Sequence, residues 1–292
     1  VPTRPAGLFV GLCTFDVVQL VDHVPGADEK VTARRQTVAA GGPAANAAAA
    51  FAHLGGAATL LTSIGCHPLG VAAAADLRGL GVTVRDLSPE SAEPPSVSSI
   101  LVTAASGDRA VASTNTVGRR IGLPDDLAAV VAGFDVVEFD GHHMDLAVAV
   151  ARAARAAGRR TLLDGGSWKP GTEQLLPSID VAVCSDAFRP PGTTCAEDVL
   201  RFLRAHRVPW AAVSRGGRPL VWEGPDGAGT VDVPDVRVVD TLGAGDVLHG
   251  TLAHRVASAG QLTVPGFVGA LGEAAAWASR ACASFGTREW MG

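Results

Sequence analysis

The feature that most limits what this chain can become is an alternation of short apolar strands with helical stretches, broken twice by runs that suit only strands. Leu8-Phe9-Val10-Gly11-Leu12 reads as a buried first strand ending in glycine. Gly41-Gly42-Pro43 opens a helix, with proline suited to the first helical position and Ala44 to Leu54 almost pure helix former before Gly55-Gly56. Strand, helix and strand follow over Thr59–Ser63, Val71–Leu80 and Val82–Leu87. After Leu123-Pro124 the alternation resumes with Val136–Phe139, a helix through Ala157, Thr161–Asp164, Val181–Cys184, a helix over Ala196–His206 and Trp210–Ser214. Repeated units of this length predict an α/β fold, a mainly parallel central sheet with helices on both faces.

The two interruptions cannot continue that pattern. Phe15–Asp22 and Lys30–Val38 are strand-like and separated by Pro25-Gly26, while Ser96–Thr103 and Arg109–Thr114 flank Ser106-Gly107-Asp108 as a hairpin. They are expected to pair with each other as a small β-sheet lid. The chain then divides into a large α/β domain, residues 1–13, 41–96 and 116–292, binding nucleotide and substrate, and a lid of residues 14–40 and 97–115.

Composition narrows the function. With 47% hydrophobic and 18% charged residues the chain has the material for a full core, and a net charge of −5 argues against a nucleic-acid partner. No apolar run approaches the roughly 20 residues of a membrane span, and no leader segment is expected. The five cysteines are scattered without a paired spacing, which fits buried small hydrophobes in a reducing cytoplasm. His142-His143 lacks the spacing to put both rings on one metal and reads as surface or pocket-rim histidine.

The chemistry is concentrated in Val239-Asp240-Thr241-Leu242-Gly243-Ala244-Gly245-Asp246-Val247-Leu248-His249-Gly250. Three small residues, a carboxylate and an apolar run describe a tight turn opening a helix, which aims backbone N–H groups and the positive helix end at one point. That point suits a phosphate, and Asp246 beside it makes sense if it takes a proton from whatever attacks the phosphate. Read alone, the turn is also what a plain helix start with an aspartate in its first turn looks like. No GxxxxGK[ST] loop is present, and the third glycine position of a dinucleotide fingerprint is occupied by Leu248.

Together, Gly41-Gly42-Pro43-Ala44-Ala45-Asn46 early and Asp240-Thr241-Leu242-Gly243-Ala244-Gly245-Asp246 late resemble the two signatures of the PfkB carbohydrate kinases. The resemblance spans nearly the whole chain and is nearest the ketohexokinase and fructokinase-type branch. It implies a ribokinase-like fold, a three-layer α/β/α sandwich plus the lid, and an ATP- and Mg²⁺-dependent sugar kinase. By that resemblance Asp246 is the general base, and the N–H groups of Gly243, Ala244 and Gly245 form the anion hole. Asp16 clamps two sugar hydroxyls, Asn46 orients them, Gly41 and Gly42 form the lid hinge, and Asp28 aligns loosely with a lid residue that reaches substrate.

For the nucleotide, Ser214, Gly216 and Gly217 resemble the segment that meets the ATP phosphates. Thr241 and Gly286 are expected on the nucleotide side, with Asp240 holding a potassium ion. The family's Asn-x-x-Glu motif is not evident after the earlier strand, where Cys184-Ser185-Asp186-Ala187-Phe188 stands, which leaves the magnesium and phosphate network open, with Asp186 or Asp164 able to help through water. The resemblance also implies a small-molecule sugar as partner, and a homodimer through the lid is expected because the exposed face of such a sheet buries little within one chain. Two alternatives stay open: a nucleoside kinase of the same fold, and a catalytically silent sugar or nucleotide sensor. The lid segments carry no Tyr or Trp for a nucleobase wall, which favours a bare sugar.

Overall fold

The computed structural model describes residues 4–117, 119 and 121–292. In chain order its strands are β1 (Ala6–Val10), β2 (Thr14–Val21), β3 (Arg35–Gly41), β4 (Ala57–Thr62), β5 (Thr83–Asp86), β6 (Ser96–Thr103), β7 (Arg109–Ser113), β8 (Val136–Phe139), β9 (Arg160–Gly165), β10 (Val181–Ser185), β11 (Trp210–Arg215), β12 (Arg218–Gly224) and β13 (Gly227–Val231). The helices are α1 (Pro43–His53), α2 (Pro68–Gly79), α3 (Leu127–Val131), α4 (Met144–Ala156), α5 (Thr172–Leu175), α6 (Ala196–Ala205), α7 (Ala244–Ser258) and α8 (Val264–Cys282). Nine strands form one sheet in the order β13-β12-β11-β10-β9-β8-β1-β4-β5, parallel except for the antiparallel edge of β12 and β13.

The strands are short and apolar because both faces are covered. Successive residues of β1 show this: Phe9 packs among Phe51, Leu252 and Phe267, while Leu8 and Val10 pack with Leu146 and Val150 on the other side. Helices α1, α2, α7 and α8 thus cover one face and α3 to α6 the other, giving the expected ribokinase-like three-layer sandwich. The sequence order reverses around β1, which has β4 on one side and β8 on the other, so the crevice at its C-terminal end is where such a sheet receives ligands.

The remaining four strands form a second sheet in the order β3-β2-β6-β7. β2 pairs antiparallel with β3 and parallel with β6. Its inner face closes on the large domain through Val18, Ile100 and Val102, which pack on Phe285, Val239 and Leu242. One expectation needs correcting here: β3 runs Arg35–Gly41, not Lys30–Val38. Pairing with β2 ends where Arg35 meets Leu20, and Arg34 closes the connection by donating its N–H to the Leu20 carbonyl at 2.7 Å.

Two helices carry the site, and glycine sets their separation. A Cβ on Gly250 would stand 2.3 Å from the Ala47 carbonyl oxygen, so only glycine lets α7 lie this close to α1. Ala47 follows Asn46, and Gly250 is one turn beyond Asp246.

Candidate active site

Helix α7 begins at Gly243, whose φ of 75° lies in the left-handed region that glycine enters freely. The first full helical bond runs from Val247 N–H to the Gly243 carbonyl at 2.9 Å. Ahead of it Ala244 N–H reaches the Thr241 carbonyl only at 3.4 Å, and Gly245 N–H has no protein acceptor among the described residues. These free donors and the helix dipole are a combination that suits an anion.

Asp246 stands in the first turn of α7, and its Oδ2 accepts from Asn46 Nδ2 at 2.7 Å. Burial and the nearby Asp164 carboxylate push its pKa up to about 7, against the opposing pull of the Asn46 hydrogen bond. Asn46 comes from the first turns of α1, and its Oδ1 accepts from Arg288 at 2.8 Å. Sequence reading missed Arg288, because a contact between residues 242 positions apart has no local signal.

Asp16 is 5% exposed on β2, and its Oδ1 accepts from Thr14 Oγ1 at 2.5 Å. Burial raises its pKa, while hydrogen bonds from Thr14 and Ser98 oppose the rise. A Cβ on Gly41 would stand 1.9 Å from Asp16 Oδ2, so glycine there keeps the carboxylate accessible from the hinge. Gly42, at φ 93°, accepts the Asn46 N–H at 2.9 Å and caps the same helix. Asp16, Gly41, Gly42, Asn46 and Asp246 therefore share one crevice between lid and large domain.

The lid also delivers a charge that has no local signal in the sequence. Arg109, at the start of β7, donates to Thr241 Oγ1 at 2.7 Å, directly beside the glycine turn. Beneath the turn, His249 of α7 sets Nδ1 2.7 Å from the Gly245 carbonyl and Nε2 3.0 Å from the Val183 carbonyl. Asp164 lies 3.4 Å from the same ring. Deeper still, both carboxylate oxygens of Glu138 lack a hydrogen-bond partner among the described residues, and burial with three neighbouring carboxylates drives its pKa far up.

Other expected residues fall elsewhere or are already engaged. Asp28 is exposed at a turn of the β2–β3 connection, with a φ of 59°. Asp240 gives Oδ1 to Leu242 N–H and Oδ2 to Gly286 N–H, at 2.8 and 2.9 Å, and so ties the glycine turn to the C-terminal segment. Ser214 is the penultimate residue of β11, and Gly216 and Gly217 make the tight link to β12, at the C-terminal edge of the sheet. Asp186 is engaged by Arg189 and Arg218, and Phe188 is buried in the core. His143 is buried in a left-handed conformation ahead of α4 and His142 is partly buried, so neither is a surface histidine. Of the cysteines, Cys13 and Cys184 are buried, whereas Cys66 and Cys195 are exposed.

A glycine turn with free N–H groups, the adjacent Asp246 carboxylate and the buried Asp16 thus lie near the junction of the two sheets. The model of the pfkB family carbohydrate kinases matches residues 8–289. The chain belongs to the PfkB family. Within that family it is 30% identical, over 82% of its length and 80% of the relative's, to an ATP-dependent ribose-1-phosphate kinase of Halopiger xanaduensis. Its fold superposes with a TM-score of 0.87 on a crystal structure assigned as ribokinase from Agrobacterium tumefaciens, at 27% identity and covering 99% and 94% of the two chains. The Arabidopsis thaliana ribokinase complexed with ribose and ATP shares the fold at a TM-score of 0.78, with 22% identity and coverage of 97% and 94%. As a PfkB member this protein is a carbohydrate kinase. A fructokinase from Xylella fastidiosa also shares the fold, at a TM-score of 0.79, 20% identity and coverage of 98% and 94%, so these likenesses do not single out the fructokinase-type branch.

Proposed function

We propose that this PfkB protein transfers the γ-phosphoryl group of ATP to a hydroxyl of a monosaccharide. The observation that carries this reading is the placement of the Asp246 carboxylate beside the free N–H groups of α7, held by Asn46. A sugar clamped by Asp16 would present a hydroxyl to Asp246, which takes its proton as the oxygen attacks phosphorus. The bond from the γ-phosphorus to the bridging oxygen breaks, and ADP leaves with the electron pair. The N–H groups of Gly243, Ala244 and Gly245 receive the charge on the transferred group, and Arg109 brings a guanidinium to the same place from the lid. Ser214, Gly216, Gly217, Thr241 and Gly286 would line the nucleotide side.

Magnesium would enter as the ATP complex. Asp186 is already engaged by Arg189 and Arg218, and among the described residues no three His, Cys, Asp or Glu side chains converge as a metal site. The donor set does not fit a protein-held magnesium, and no step is assigned to one. Potassium at Asp240 gains no support either, since each carboxylate oxygen already accepts a backbone N–H. A homodimer through the lid is supported by its outer face, where Val38, 52% exposed, lies opposite Val17.

One arrangement favours a phosphorylated sugar over a bare one. Lys169 Nζ donates to the Asp140 carbonyl at 3.1 Å and Arg119 reaches the Ser63 carbonyl at 3.5 Å, with His142 and His143 near them. The Asp140 carboxylate lies among them and also accepts N–H groups of Leu12, Ala44 and His142, which hold it in place beside the cations. The relative named for ribose 1-phosphate agrees with this charge. The test is ADP release across pentoses, ketohexoses, their 1-phosphates and nucleosides. Turnover with a sugar or sugar phosphate supports the reading; turnover with nucleosides alone, or with nothing, overturns it.

A further inference from the structure

Arg288 lies outside both glycine signatures, yet it stands at the junction of four elements of the site. One guanidinium nitrogen, Nη1, donates to Asn46 Oδ1 at 2.8 Å, and the other, Nη2, donates to the Ala40 carbonyl at 2.7 Å. Asp76 of α2 faces Nη2 at 3.8 Å and also accepts the Ala40 N–H at 3.0 Å. The peptide at Ala40, the last residue of β3 before the Gly41-Gly42 hinge, is therefore held on both sides.

The consequence reaches Asp246 through the amide of Asn46. An amide offers an acceptor at one end and two donors at the other, and only its surroundings decide which way it points. A guanidinium can only donate, so Oδ1 must face Arg288 and Nδ2 must face Asp246. One N–H of Nδ2 and one lone pair of Oδ1 remain for a substrate hydroxyl. Without Arg288 the amide is free to rotate, and the opposite orientation would set an oxygen against the ionised carboxylate.

We infer that Arg288 is a positioning residue for phosphoryl transfer: by fixing the Asn46 amide it keeps a hydrogen-bond donor on Asp246 and so holds that carboxylate in its proton-accepting form. The titratable and charged groups facing Arg288, Asn46 and Asp246 are Asp16, Asp76, Glu138, Asp164, His249 and Arg109, together with the Cys13 thiol beside Arg288. None of the other cations touches Asn46. The inference rests on the general-base reading of Asp246.

The test follows the Asp246 carboxyl directly by ¹³C NMR of aspartate-labelled protein, assigned by difference from Asp246→Asn, alongside the pH profile of kcat. Arg288→Met is expected to move the Asp246 midpoint and the acid limb of kcat upward by about one pH unit, the worth of one charge-assisted hydrogen bond. In an Asn46→Ala background the same change should add no further movement. Arg288→Lys keeps the charge but cannot serve Asn46 and Ala40 together, so it should show a smaller shift in the same direction, and it reports even if the Met variant fails to fold. An unmoved midpoint in the folded variants, with only thermal stability lost, overturns the inference. If Asp246→Asn itself keeps full activity, the general-base reading fails instead, and the NMR midpoint still tests the hold of Arg288 on the carboxyl.

Discussion

Asn46 and Asp246 meet across 2.7 Å although 200 positions separate them in the chain. One comes from the helix after the lid hinge, the other from the helix after the glycine turn. On the proposed reading, their contact joins the sugar side of the crevice to the phosphoryl side.

The approach of α1 to α7 makes that contact. Gly250→Ala would place a methyl group 2.3 Å from the Ala47 carbonyl oxygen and force the helices apart. Overpacking of this kind costs about 1–3 kcal/mol. Calorimetry should show a melting temperature lower by several degrees, with kcat reduced because Asn46 is drawn away from Asp246. A variant that keeps both values would show that the helices do not need the glycine.

The charge on Asp246 is held against stability. Its folded-state pKa, about 7, lies above the ordinary value of 3.8, so the folded chain binds that proton more tightly than the unfolded chain. The associated stability is present below pH 3.8 and is lost as pH rises through about 7. Asp246→Asn should therefore melt a few degrees higher than wild type at pH 8, with the gap closing towards pH 4. A gap independent of pH would contradict the burial of this charge.

Much of this site was legible because its chemistry sits in two contiguous glycine-rich segments. Gly41 to Asn46 and Gly243 to Asp246 need small residues for local reasons, a hinge and a helix start, and local needs leave local patterns. Arg288, Arg109 and Gly250 left none. Arg288 matters through Asn46 and Ala40, Arg109 through the docking of the β6–β7 hairpin on Thr241, and Gly250 through a helix crossing. The bounds of β3 were misread for a related reason. Residues 30–34 carry an acceptable strand composition, but β2 supplies no partner beyond Leu20.

Asp16 offers a cleaner separation of the two substrates. It lies on the lid side of the crevice, between Thr14, Ser98 and Gly41, away from the glycine turn. Asp16→Ala should weaken sugar affinity by about 10²-fold, the loss of a charge-assisted hydrogen-bond pair, while leaving ATP affinity nearly unchanged. Titration calorimetry with each ligand measures both. Equal losses would remove the hydroxyl clamp.

Arg109 tests the lid's part in the chemistry. Its guanidinium sits on Thr241, within electrostatic reach of Asp246. A cationic side chain that meets the transferred phosphoryl only on closure contributes to kcat more than to binding. Arg109→Ala should lower kcat by about 10²-fold with a small change in sugar KM. A loss confined to KM would make Arg109 a latch for the lid, not a participant in transfer.

The central claim is that Asp246 takes the proton of the attacking hydroxyl. Single-turnover transfer from γ-labelled ATP, with the sugar or sugar phosphate found by the substrate panel, measures that step for wild type and Asp246→Asn side by side. The expected rate is lower by about 10²–10⁴ in the variant, with sugar affinity unchanged by calorimetry. Transfer at the wild-type rate by Asp246→Asn would contradict it.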